Sequence, residues 1–144
     1  MKKNICIAIS LLLMLTLLLA GCGAALTNAA KLEQYDMGDD VIISITSVVG
    51  EREVTSVAAS TNNGIDSKQY TYASDMVYDD LLAYVTRLMD GGWLVTQAID
   101  LNVVPGSGEL GTHSVDDGKI LLVSFAYDED EYTIKVTKGN GTLE

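Results

Sequence analysis

Basic side chains are scarce in this chain. Its 144 residues carry 9 Lys plus Arg against 20 Asp plus Glu, a formal charge of −11. That balance excludes nucleic acid as a partner, because affinity for a polyanion comes mainly from Lys and Arg set against phosphates. Histidine occurs once, at His113, so any imidazole chemistry has a single place to happen. Cysteine occurs only twice, and the one proline is Pro105. The length fits one domain, with no room for two. The apolar share of 48% and the mean hydropathy of +0.23 are too oily for a chain so acidic.

The first residues resolve that mismatch. Met1-Lys2-Lys3-Asn4 is a short basic start, and Ile5 to Ala20 is apolar apart from Cys6, Ser10 and Thr16. A basic segment, an apolar run and small residues before a cut site form a secretory signal peptide. The run is 16 residues long, short of the ~20 that a spanning helix needs.

Leu19-Ala20-Gly21-Cys22 closely resembles the lipobox of bacterial lipoproteins. The resemblance implies a thioether-linked diacylglycerol on Cys22 and cleavage by signal peptidase II between Gly21 and Cys22. The sulfur matters because a thiolate is the nucleophile that accepts the lipid. Removing residues 1–21 leaves 7 basic against 20 acidic side chains, a net charge of −13. Cys6 leaves with the signal and Cys22 is taken by lipid, so the mature domain has no thiol, disulfide or cysteine-based metal site. With one histidine, a tight zinc site lacks its usual nitrogen and sulfur ligands. Gly23 is not the aspartate that signals inner-membrane retention in two-membrane bacteria. The expected location is therefore the outer face of the cell membrane, or the outer membrane of a two-membrane host.

The remaining chain divides into a tether over 22–40, a single domain over 41–138 and a tail over 139–144. Residues 22–40 are small, polar and acidic, with no period that buries a face. Val41 to Val49 is dense in β-branched residues and reads as a strand, with a weaker strand over 53–60. Residues 60–68 read as a loop, with Asn63-Gly64 its tight turn. Val77, Leu81, Tyr84, Val85 and Leu88 recur at helical spacing, so a helix spans about 75–90, capped by Ser74 and stopped by Gly91-Gly92. Strands follow over 93–104, 110–115, 120–127 and 132–137, and Asp128 to Glu131 turns the last two into a hairpin. The fold class is α+β: one helix packed on a mainly antiparallel sheet of four to six strands. Residues 70–138 resemble small α+β domains of bacterial lipoproteins, without a diagnostic motif.

Several constellations invite chemistry. Gly106-Ser-Gly-Glu-Leu-Gly111 matches the dinucleotide fingerprint, but no helix follows it to receive a pyrophosphate, so it reads as a loop between strands. His113 lies near Ser107, Ser114, Asp116 and Asp117, yet no G-x-S-x-G turn presents a nucleophile. The pairs Asp39-Asp40, Asp79-Asp80 and Asp116-Asp117, with Asp128 to Glu131, invite a calcium reading, but Asp128 to Glu131 runs straight into Tyr132 without the glycine of a calcium loop and reads as a solvated turn. Tyr70, Tyr72 and Trp93 read as core rather than as an aromatic platform.

No cofactor, nucleotide or metal is expected. The function these readings favour is a non-catalytic, membrane-anchored lipoprotein domain that binds another envelope protein, with a basic partner the best match for its charge. The alternatives are an envelope hydrolase using His113 with nearby Ser and Asp, and an accessory lipoprotein of a transport or secretion complex. The lipid reading has a direct test. Cys22→Ala should abolish incorporation of labelled palmitate and move the protein from the membrane to the soluble fraction.

Overall fold

A computed structural model describes residues 25–144. The signal peptide over 1–21, the cleavage site after Gly21 and the lipid acceptor Cys22 lie outside the described residues.

A helix, α1 (residues 25–29), leads into a small hairpin of β1 (Gln34–Met37) and β2 (Asp40–Ile43), and then α2 (Ile45–Val49). The long hairpin β3 (Glu53–Asn62) and β4 (Ile65–Ala73) precedes the main helix α3 (Val77–Asp90). Strands β5 (Leu94–Gln97), β6 (Gly106–His113), β7 (Lys119–Tyr127) and β8 (Glu131–Asn140) complete the chain. Strands β3 to β8 form one antiparallel sheet in the order β3-β4-β8-β7-β6-β5. The class is α+β, as the periodicities predict.

One face of this sheet carries the core. Leu110, Leu121, Val123, Phe125, Tyr132, Ile134 and Val136 alternate inward along β6, β7 and β8. Helix α3 buries Val77, Leu81, Tyr84, Val85 and Leu88 from the other side. Tyr35, Met37, Ile42 and Ile45 close the same core from the small hairpin and α2. The opposite sheet face bears small polar residues such as Ser56, Ser60, Thr71, Ser124 and Thr133.

Several expectations are corrected. The segment read as a tether is folded from residue 25 onward: Ala29, Ala30, Tyr35, Met37 and Asp40 are all buried. Short apolar alternation in β1 is too brief to register against its polar neighbours. The strand expected over 41–49 ends at Ile43, because Ser44 caps α2 by accepting a hydrogen bond from the Ser47 N–H at 3.1 Å. Local capping there outweighs β-branched propensity. The loop expected over 60–68 is the tip of the long hairpin. Its turn is Asn63-Gly64 as read, with φ of 52° and 77°, the mirror-image geometry that matches strand twist.

The fourth concerns the strand expected over 93–104, of which only Leu94–Gln97 forms. The Asp100 side chain accepts from the Asn102 N–H at 3.1 Å and its carbonyl from the Val103 N–H at 3.2 Å, turning the chain. Val95 and Val103 are exposed, while Trp93, Ile99 and Leu101 pack against the core edge. The strand expected over 110–115 instead runs from Gly106 to His113 and lies between β5 and β7. The domain boundary at 138 also shifts, since β8 runs on to Asn140.

The packing of α3 sets a stability expectation. Leu81→Ala, at a fully buried position, should cost about 2–5 kcal/mol in urea unfolding. Its neighbour Leu82 is 45% exposed, and Leu82→Ala should change stability by about 0.5 kcal/mol or less.

Candidate functional site

The sequence places four polar residues near His113, and the structure separates them. His113 ends β6 as an exposed side chain, and among the described residues no hydrogen bond joins it to serine or aspartate. Ser107 is exposed and accepts from Gln97 Nε2 at 3.0 Å. Ser114 donates to Asp40 at 2.6 Å instead of facing the imidazole. Asp116 is bound to Lys138, and Asp117 is exposed on the turn. No base, nucleophile and orienting acid converge here.

The glycine-rich match is also spent on structure. Gly106 to Gly111 is strand, not the loop expected from its glycines. The ring of Phe125 and the side chain of Ile99 press against Gly108, where a Cβ would stand 2.6 and 2.7 Å from them. Gly106 and Gly108 make room for Tyr127, Phe125 and Ile99, and Gly111 for Leu122, Leu143 and Thr96, rather than for a phosphate. Among the described residues no group of acids, His and Cys is arranged to hold a metal ion. Tyr70 and Tyr72 are core residues, as read, with Tyr72 bonded to the Tyr35 hydroxyl at 3.0 Å. Burial pushes the Tyr72 phenol up to about 12, and Tyr35, Tyr84 and Tyr132 are also raised, chiefly by burial. These phenols do not ionise near neutral pH and serve as hydrogen-bond groups.

Two buried ionic clusters have no motif to announce them in the sequence. In the first, the Asp80 carboxylate on α3 accepts from Arg52 Nε at 2.7 Å and Nη2 at 2.6 Å. Ser74 Oγ donates to it at 2.7 Å and the Tyr132 hydroxyl at 3.2 Å. Burial alone would raise this carboxyl, but the Arg52 and Ser74 bonds outweigh it and hold it below the ordinary value. Ser74 is therefore not the helix cap expected, since Met76 takes that position; it lies three residues before α3, where its oxygen also accepts from the Met76 N–H at 3.0 Å.

In the second cluster, Lys138 on β8 reaches Asp40 at 2.6 Å, Asp116 at 2.7 Å and the Met37 carbonyl at 3.2 Å. All three ammonium protons are placed. Burial again works against the Asp40 charge, and the bonds from Lys138, Ser114 and the Val115 N–H reverse it. Periodicity does carry a signal for this cluster. Lys138 continues the inward series Tyr132, Ile134 and Val136 at period two, so a lysine is due on the core face.

No buried side-chain polar atom among the described residues lacks a partner. Both clusters are saturated, which makes them fasteners between elements rather than reactive groups.

Among the described residues, one concavity joins an apolar surface to a purely acidic rim. A cleft of about 250 Å³ lies between the first turn of α3, the 98–105 segment and the turn joining β7 to β8. Met76, Tyr78, Leu101 and Val104 give it an apolar floor, and Asp75, Asp79, Asp128 and Glu129 give it an acidic rim. Asp79 also sits at the positive end of the α3 dipole, where a carboxylate is stabilised. A wider groove adjoins it at Asp75 and Met76 and adds Glu51, Glu53 and Asp130. Arg52 is the one cation lining either groove, and it is committed to Asp80. The chemistry on offer is capture of a cation attached to something apolar.

The lowered Asp40 and Asp80 values fix a pH dependence. Each carboxylate protonates more readily unfolded than folded, so its stabilisation is complete above the ordinary carboxylate value. It is lost as pH falls through the lower folded values. Urea midpoints should therefore be flat near neutrality and drop below about pH 4. Asp80→Asn should cost about 3 kcal/mol at pH 7, by leaving Arg52 unpaired, and should flatten part of the acid limb. Compared with protein-family models, with curated proteins and with solved structures, the chain matches none, so the candidate site rests on its own geometry.

Proposed function

We propose that the chain is a lipid-anchored extracytoplasmic protein whose domain binds a basic envelope protein without catalysing a reaction. The observation that carries the binding half is the cleft at the start of α3, an apolar floor rimmed by Asp75, Asp79, Asp128 and Glu129. The lipobox-like Leu19-Ala20-Gly21-Cys22 carries the anchoring half.

A cleft of this kind matches a cationic, amphipathic segment. Its Lys or Arg heads meet the rim while its apolar side chains cover Met76, Tyr78, Leu101 and Val104. The net charge of the mature chain steers such a partner from a distance, and the apolar floor holds it once docked. The dispersed positions of His113, Ser107 and Ser114 give the hydrolase reading no comparable support.

The test uses a peptide of alternating Lys and Leu turns, with the same design in Glu and Leu as control. The full chain should bind the cationic peptide alone, with affinity falling steeply as salt rises. Asp128→Lys with Glu129→Lys should weaken binding at least about tenfold, which is roughly 1.4 kcal/mol. His113→Ala should leave it unchanged. Binding that ignores both salt and the charge reversal would sink the cleft reading, and loss of a cellular phenotype in folded His113→Ala would favour the hydrolase.

A further inference from the structure

The two edges of the main sheet are built differently. Strand β5, at one edge, has four residues and a bulge between Val95 and Gln97, which blunts it. Strand β3, at the other edge, has ten residues. From Val54 to Asn62 it holds no charge and no proline, and from Thr55 on every residue is exposed. Lys, Pro, shortness and strong twist are the usual defences of an edge, and this stretch uses none of them beyond the bulge at Val54/Ser56.

Hairpin geometry fixes which backbone groups are free. Asn62 and Ile65 flank a two-residue turn and exchange both of its hydrogen bonds. Counting back in twos, Ser60, Ala58 and Ser56 also face β4. The N–H and C=O groups of Val57, Ala59 and Thr61 therefore point away from the sheet.

The residues on this edge read almost the same in both directions. About Ala58, Val57 mirrors Ala59, Ser56 mirrors Ser60, and Thr55 mirrors Thr61. An antiparallel two-fold partner needs that symmetry, since residue i must suit residue j and j must suit i. With the axis at Ala58, the outward groups of Val57 meet those of Ala59 in the second copy. Ala58 falls on Ala58 as a non-hydrogen-bonded pair, where side chains approach most closely and a methyl fits. Ser56 lies opposite Ser60 and Thr55 opposite Thr61, small uncharged side chains on both sides, of which Ser60 and Thr61 already bond Ser67 and Asp66 on β4. The chain is acidic throughout, yet two copies meeting here bring no charge face to face.

We infer that the uncharged, self-complementary edge Thr55–Thr61 of β3 pairs with the same edge of a second copy of this chain, joining two sheets into one.

Cysteine crosslinking tests the register. At a non-hydrogen-bonded pair the Cα atoms lie about 4.5 Å apart, within disulfide range. The full chain with Ala58→Cys, oxidised in membranes of expressing cells, should form a covalent dimer well above two backgrounds. One is the unaltered chain, which carries Cys6 and Cys22; the other is Ala126→Cys, exposed on the same sheet face of β7. Ala58→Lys and Ala58→Glu each place like charges on the axis while leaving the pairing with β4 intact. Each alone should sediment as a monomer in mild detergent, and their mixture should form a mixed dimer. Crosslinking no greater than at Ala126, or Ala58→Lys assembling like the unaltered chain, would overturn the inference. So would a crosslink from the Ala58→Cys chain to a protein of another mass, which would mean that a foreign strand occupies the edge.

Discussion

The Asp80 carboxylate cannot sit beside Leu81 and Tyr84 in the core unless its charge is met on every side. Arg52, Ser74 and Tyr132 do this together, and they come from the turn before β3, the approach to α3 and strand β8. A buried charge left without partners costs several kcal/mol, so the four groups hold one another in place. The start of α3 is thereby fixed against the sheet in position and in rotation. The acid-rimmed cleft exists because of that anchoring: its walls are the first turn of the same helix and the turn joining β7 to β8.

Much of the fold is written in periodicity. The stripe of Val77, Leu81, Tyr84, Val85 and Leu88 has one regular solution, and so do the alternating residues of β7 and β8. The Asn63-Gly64 turn is equally plain, yet the strand after it is hidden, because Ile65 to Lys68 is mostly polar on both faces. That stretch is held by backbone pairing with β3 and β8 and buries little, so it leaves no hydrophobic mark. The reverse holds for Val41 to Val49, where propensity speaks for a strand and one capping serine ends it.

The candidate site is less legible for a physical reason. Carboxylates in a sequence give their number but not their destination. Asp40 and Asp80 are buried and paired, while their neighbours Asp39 and Asp79 face solvent. Adjacent residues on a strand or helix point in different directions, so each acidic pair splits its roles. Only the three-dimensional meeting of Asp75, Asp79, Asp128 and Glu129 with an apolar floor turns a general negative charge into a place. The same sorting strips charge from the free edge of β3.

The strand order β3-β4-β8-β7-β6-β5 also bears on the sequence of events during folding. Strand β8 is the last in chain order, but it lies in the middle of the sheet between β4 and β7. Its Lys138 also receives the small N-terminal hairpin through Asp40. Until β8 has been synthesised, the β3–β4 hairpin and the β5–β7 meander are two separate half-sheets with open inner edges. The first elements made have no finished surface to dock on. One strand therefore joins the two halves, pairing with β4 on one side and β7 on the other. Truncation before β8 would leave the inner edges of β4 and β7 without the strand that pairs with both.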